Sequence, residues 1–347
     1  MKLDRDVIII KKELRLPVVV VILIIVLFFS FMMAICCGHY SLDPISCLKM
    51  LAMKPLGING NWSQLDESVF FGIRLPRVIG AVIIGACLSI SGASYQSVFQ
   101  NPLVSPDILG VSSGACVGAA LGIMLHLPKT MIIASSFISG IITVTLTMLI
   151  PKLLKTTSNI MLVLSGIVVS GLTTSAMGII KYVADPLDEL PKITYWTMGS
   201  LDGMTFSVIL LIIIPVAVCI LLLVRMSWWI DIISMGEKDA KTLGANVNRV
   251  RLITICGSTL LTALSVSVCG TIGWIGLIVP HFARMFVGSS NTKLIPTASV
   301  LGSIFLLIVD TIARNVVAIE VPLSIITGFI GAPFYAWFLY CQRTNLY

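Results

Sequence analysis

Four charged residues have spacings that could do chemistry. Arg74 and Arg77 lie three apart in Arg74-Leu-Pro-Arg77. A helix beginning there sets both guanidiniums on one face. Asp310 and Arg314 lie four apart, the spacing of an ion pair within a helix. Two readings of the arginine pair stay open: guanidiniums reaching to lipid headgroups, or a basic rim that meets an acidic surface. Catalysis has no comparable foothold. His39, His126 and His281 are far apart, and the chain holds no HExxH, no G-x-S-x-G and no Walker A sequence. The nine cysteines include no CxxC pair, and Cys87, Cys116, Cys219, Cys256 and Cys269 fall inside apolar runs. There they read as small buried apolar side chains. No catalytic residue and no metal site is expected.

The elements that must carry these residues follow from composition. Of 347 residues, 57% are hydrophobic and 11% charged, where a soluble domain carries roughly 25% charged. That excludes a soluble enzyme, a disordered chain and a nucleic-acid-binding domain. Charge at the bilayer centre costs at least ~2.5–3.5 kcal/mol per residue, so charge-free runs mark membrane segments. There are nine: 16–42, 78–106, 108–128, 130–151, 156–180, 203–224, 252–283, 294–309 and 321–342. The run 252–283 is long for one helix and contains Gly270, Gly273, Gly276 and Pro280. Glycine and proline permit a break, so two helices are expected, roughly 250–269 and 272–288. The total is about ten spans in an all-α integral membrane fold.

Charge placement sets the expected orientation. With ten spans, 15 Lys and Arg fall on the side of both termini and 8 on the other, whereas nine spans give 13 against 10. The positive-inside bias therefore favours ten spans with both termini cytoplasmic. On this reading the net charge of +7 records insertion topology rather than a polyanionic partner. Residues 1–15 form a cytoplasmic N-terminus, 16–342 a single membrane domain and 343–347 a cytoplasmic tail. The apolar stretch from 16 exceeds a secretory signal core and is expected to be a retained first span. Asn61-Trp62-Ser63 fits a glycosylation triplet that is common by chance.

Three local patterns stand out. Gly110, Gly114, Gly118 and Gly122 recur every four residues and would share a helix face. Close helix packing explains them, with a narrow pore wall as the alternative. Before them, Ser105, Pro106 and Asp107 suit the cap, first turn and dipole of a helix start. In the largest cytoplasmic loop, Gly236 and Gly244 bracket a short helix with Ala240, Leu243 and Val247 as its apolar residues. It is too weakly apolar to lie on a membrane, which leaves insertion into a partner's groove. The spans nearly lack carboxylates, Asp310 apart, where an ion-coupled carrier usually keeps one. Its energy should then come from a partner.

Together these stretches resemble the FecCD family of ABC importer permeases. The matching segments are RLPRVIGAVIIGACLSISGASYQSVFQNPLVSPDILGVSSGA (74–115), LGANVNRVR (243–251), GTIGWIGLIVPHFARMFVG (270–288) and VPLSIITGFIGAPFYAWFL (321–339). The resemblance implies a type II importer permease fold in the cytoplasmic (inner) membrane, paired with a second, identical or different, permease subunit. It implies two ATPase subunits that use ATP and Mg²⁺, an external solute-binding protein, and an iron(III)–siderophore, haem or cobalamin as cargo. It places ATPase coupling in 231–249, at Gly236, Glu237, Asp239, Ala240, Leu243, Gly244 and Val247. It places binding-protein docking at Arg74, Arg77 and Arg314, and a cytoplasmic gate at Thr156, Thr157, Ser158 and Asn159. No cofactor is expected on this chain.

Overall fold

A computed structural model describes residues 16–343 except 59, 61, 157 and 318. The expected terminal segments, Thr157 of the gate and Asn61 of the glycosylation triplet lie outside the described residues. Fourteen α-helices are present among those described: α1 Leu16–Cys36, α2 Pro44–Met53, α3 Gln64–Val69, α4 Leu75–Val98, α5 Val111–Met124, α6 Lys129–Leu153, α7 Asn159–Val183, α8 Glu189–Thr197, α9 Phe206–Ser234, α10 Glu237–Thr242, α11 Val247–Cys269, α12 Ile275–Val287, α13 Asn291–Asn315 and α14 Leu323–Arg343. Seven helical runs are long and apolar enough to cross a bilayer, and α5, α12 and α14 contribute shorter apolar helices. These ten match the expected count. The ten-residue α2 would reach only about 15 Å at 1.5 Å per residue, so it does not span.

The core is α4 with α11, α12 and α13 around it. The α4 run is 83% buried, against 22% for α7, which leaves α7 facing outward. Small residues let α4 be surrounded this closely. A Cβ on Gly85 would meet the Gly302 carbonyl of α13, and one on Gly92 the Gly276 carbonyl of α12. Lipid supplies no hydrophobic drive between helices, so packing and hydroxyl bonds must hold them. Ser91 Oγ donates to the Ser258 carbonyl at 2.8 Å and pairs with Thr262 Oγ1 at 2.7 Å. Tyr95 OH meets Thr259 Oγ1 at 2.6 Å, and Ser303 Oγ donates to the Val82 carbonyl at 2.8 Å.

The break in 252–283 is present, as Gly270–Trp274 between α11 and α12. Gly270 takes φ +70° and Trp274 φ +71°, the left-handed region that an L side chain rarely adopts. Non-helical backbone at membrane depth must be satisfied inside the protein, and here it is. Ser200 N donates to the Cys269 carbonyl at 2.8 Å and Thr271 Oγ1 to the Thr197 carbonyl at 2.6 Å. The facing connection between α8 and α9 accepts Leu323 N on the Gly199 carbonyl at 2.9 Å, fixing the start of α14.

The glycine stripe is partly corrected. Gly110 stands outside α5, at φ +78° between a 3-10 turn over Pro106–Leu109 and the helix. Gly114, Gly118 and Gly122 do face α6, where added Cβ atoms would meet Thr143, Ser135 and Ile132. They are packing contacts rather than a pore wall. Ser105 caps the 3-10 turn without a side-chain bond, and Asp107 instead accepts from Ser112 Oγ.

Candidate functional site: a short polar helix and a buried charge cluster

The segment 231–249 starts inside α9, which runs to Ser234, and the short helix α10 follows. Gly236 at φ +120° turns the chain into it, and Gly244 at φ +80° turns the chain out. The exit is a Schellman cap: Ala245 N donates to the Ala240 carbonyl at 3.0 Å and Gly244 N to that of Lys241 at 3.0 Å. Such a cap needs a left-handed residue, which explains the second glycine. Glu237 and Lys241 pair at 3.0 Å. Lys241 thereby holds the Glu237 carboxyl below its ordinary range. Asn246 Oδ1 then accepts Arg249 N at 3.1 Å and caps α11.

The apolar residues of this segment divide. Ala240 and Val247 are buried against the body, whereas Leu243 is 59% exposed. Glu237 is exposed beside it, and a shallow groove of about 360 Å³ lies between Lys241 and Asn248. Ala240 attaches α10 to the bundle, Val247 begins α11 instead, and Leu243 is the apolar side chain of this segment offered outward. The end of α9, which leads into α10, is bonded to the body. Asp231, on α9, accepts Asn291 N at 2.6 Å, Asn291 Nδ2 at 2.8 Å and Ser290 Oγ at 2.9 Å, capping α13. Gln100 Nε2 donates to the Ile233 carbonyl at 2.9 Å, tying the end of α4 to α9. Neither residue stood out in the sequence, because each partner is remote along the chain.

The outer arginines are not the exposed rim that was expected. Arg74, Arg77 and Arg314 are 4%, 4% and 6% exposed, and all three bond within the chain. Arg77 Nε donates to Asp310 Oδ1 at 2.9 Å, and Arg77 Nη1 reaches Glu320 Oε1 at 2.8 Å. Arg314 Nε lies 3.0 Å from Asp310 Oδ2, the i,i+4 pair read from spacing, and Arg314 Nη2 donates to the Ala34 carbonyl at 3.0 Å. Arg74 Nη1 donates to the carbonyls of Ile35 at 2.6 Å and Cys36 at 2.9 Å, and Nη2 to Tyr40. Arg74 ends a π-turn over Phe70–Arg74 that joins α3 to α4. Buried ions persist only when paired and hydrogen-bonded, so these guanidiniums are first of all structural. Asp202, 3.9 Å from Arg77, is the exposed charge at this mouth.

The turn between α6 and α7 holds the expected gate residues. Ser158 N donates to Thr156 Oγ1 at 3.4 Å, and Asn159 Oδ1 is buried without a hydrogen-bond partner. Ser158 is exposed, and no bond among the described residues joins this turn to α10. No group of three or more metal-ligating side chains occurs among the described residues.

Comparison with known proteins adds to this geometry. The model of the FecCD transport family matches residues 13–341. The molybdate import system permease protein MolB of Haemophilus influenzae is 35% identical over 303 residues, 87% of this chain and 89% of that protein. An iron chelatin transport system permease protein of Helicobacter pylori is 36% identical over 275 residues, 79% of this chain and 83% of that one. A solved structure described as an inward-facing metal-chelate type ABC transporter is 33% identical with a TM-score of 0.84, covering 93% of this chain and 99% of that one.

Proposed function

The chain belongs to the FecCD transport family of ABC importer permeases, and within it we propose that this permease passes an iron(III)–siderophore complex across the cytoplasmic membrane. The exposed Leu243, which ends a helix anchored by the buried Ala240, carries the mechanistic part of this reading. An ATPase subunit receives α10 in a groove, ATP binding draws two such subunits together, and α10 moves with them. Asp231 and Gln100 pass that motion to α13 and α4. The helices then alternate which end of the path is open, as rigid bodies. ATP and Mg²⁺ are bound by the ATPases, and this chain moves rather than reacts.

A second permease subunit completes the path, and an external binding protein delivers the cargo. Both termini are cytoplasmic on this reading, which the Lys and Arg bias supports. Docking uses the mouth around Arg77, where carboxylates of the binding protein compete with Asp202 and Glu320 for its Nη1 edge. Thr156, Ser158 and Asn159 act as the inner gate. The relative named for iron chelatin transport supports a chelated-iron cargo. A second reading, molybdate import, has the 35% identical relative in its favour.

Uptake assays in a strain lacking this chain decide between them. Labelled ferric siderophore, molybdate, haem and cobalamin are offered separately. Loss of ferric siderophore uptake alone is expected. Loss of molybdate uptake with iron uptake intact would replace the first reading with the second.

A further inference from the structure

Asp107 separates the charge-free runs 78–106 and 108–128 and lies on the connection between α4 and α5. The structure sets that connection at membrane depth rather than at the surface. A Cβ on Gly276 of α12 would meet both Pro106 and the Leu88 carbonyl of α4, and one on Gly166 of α7 would meet the Ile108 carbonyl. Leu88 lies ten residues before the end of α4 at Val98, and Gly166 seven after the start of α7 at Asn159. At 1.5 Å per residue, the 3-10 turn over Pro106–Leu109 is about 10–15 Å in from those helix ends. The 14-residue α5 agrees, since it covers only about 21 Å of a hydrocarbon layer about 30 Å thick.

Two interruptions of helix meet at this depth. Ser105, Asp107 and Ser112 share a small cavity with Leu88 and with Ile272 and Trp274 of the break between α11 and α12. Unwound backbone inside a membrane is tolerated where it lines a cavity, and transporter sites are built from such breaks. Pro106 and Leu109 are buried, yet Asp107 between them is exposed. Ser112 Oγ donates to its Oδ1. A carboxylate open to lipid at this depth is too costly to persist, and such groups face water-filled cavities on substrate paths.

We propose that Asp107 lines the translocation path and turns it against anionic cargo, so that the chelate carried is neutral or cationic. The proposal rests on the permease reading above and narrows its cargo. A fixed charge in a cleft with low-dielectric walls focuses its field and lowers the local concentration of solutes of the same sign. Three hydroxamates neutralise iron(III), whereas three catecholates leave the complex a trianion, and molybdate is a dianion. Among iron chelates, Asp107 therefore favours the tris-hydroxamate class, and it opposes molybdate.

The test uses the full chain with its partner permease and ATPase subunits, cycling on ATP in vesicles. Ser105→Cys places a reporter thiol on the same cavity, at a side chain that makes no cap bond. A cationic and an anionic methanethiosulfonate reagent are compared by mass spectrometry of the peptide carrying residue 105, which leaves the native cysteines in place. Relative to their rates with a free thiol, the cation is expected to react about tenfold faster than the anion. Asp107→Asn should make the two rates equal, and Asp107→Glu should keep the preference. A thiol that neither reagent reaches, or equal rates with Asp107 intact, would overturn the proposal without any substitution at 107. So would a preference that Asp107→Asn leaves unchanged. Offered to the wild-type complex with its binding protein, a ferric tris-hydroxamate should accumulate, and accumulation of a ferric tris-catecholate or of molybdate would overturn the exclusion. Cobalamin accumulated in place of iron would refute the cargo reading instead, with the dependence of the thiol rates on Asp107 left standing.

Discussion

Asp310 is the residue on which the outer charge cluster turns. It is fully buried and faces Arg77 and Arg314 together. Removing one member of a buried charge group leaves the others desolvated, at a cost of about 3–5 kcal/mol. Asp310→Asn is therefore expected to lower the melting temperature of the detergent-solubilised protein sharply, and a melting curve unchanged from wild type would refute the structural role. Carboxylates between α1 and α4 behave differently, Asp43 being exposed and Asp66 and Glu67 half-buried. Ser46 bonds hold Asp43 below its ordinary range, Tyr40 and Ser63 do so for Asp66, and Lys54 with Trp62 for Glu67. Lowered folded values mean that each contributes stability above the unfolded carboxylate range near pH 4. That stability is lost as pH falls through the lowered values. Protection from hydrogen exchange over 43–69, taken relative to the free-peptide rate at each pH, should fall below about pH 4, with that of 81–97 unchanged. Only part of this was legible in sequence. The Asp310–Arg314 pair follows from spacing, but Glu320 joins Arg77 across 243 residues, and a pairing so remote leaves no local pattern.

At the scale of elements, glycines decide what each helix tolerates, and they do so for two different reasons. Gly92 is limited by space, since its Cβ would fall on the Gly276 carbonyl, which is backbone and cannot rotate away. Overpacking a core costs typically about 1–3 kcal/mol, and more where backbone must move. Gly92→Val is expected to part α4 from α12 and to reduce the yield of folded protein in membranes. Gly171→Ala on α7 meets nothing within 4 Å and should leave yield and melting unchanged; equal losses in both variants would refute the contrast. Gly244 is limited by backbone instead, with φ +80° and open space around it. A side chain there costs ~1–2 kcal/mol of left-handed strain, confined to α10. Gly244→Val should thus insert normally yet lose ferric siderophore uptake, read by immunoblot and transport assay together. The sequence disclosed the bracket 236–244 because both glycines punctuate a polar helix. It placed Gly110 wrongly in a helix because a four-residue period does not reveal where a 3-10 turn ends. It placed the start of the break in 252–283 correctly after 269 but began the next helix at 272 rather than 275, because Trp274 adopts a conformation that glycine normally marks.

For the whole molecule, charge exclusion from hydrocarbon is strong enough that nine gaps mark the membrane segments, and glycine and proline inside one of them give the tenth. How those segments pack depends on side-chain partners that a single chain sequence does not display. The burial of Arg74, Arg77 and Arg314 shows the difference: their spacing was legible, their exposure was not. The same reasoning bears on function. On the proposed reading work reaches this chain through a surface, and Leu243, 59% exposed at the end of α10, offers apolar area there. Leu243→Asp puts a charge where a partner's groove must dehydrate, while the buried Ala240 keeps α10 attached to the body. With the ATPase subunits co-reconstituted in vesicles, ATP hydrolysis should continue while cargo accumulation falls at least tenfold, equivalent to about 1.4 kcal/mol of lost coupling. A fall in melting temperature alongside would point to a folding defect, so the variant must first match wild type in thermal unfolding. Unchanged accumulation at matched stability would mean that α10 does not transmit the work, and the driving contact would have to be sought at the turn between α6 and α7.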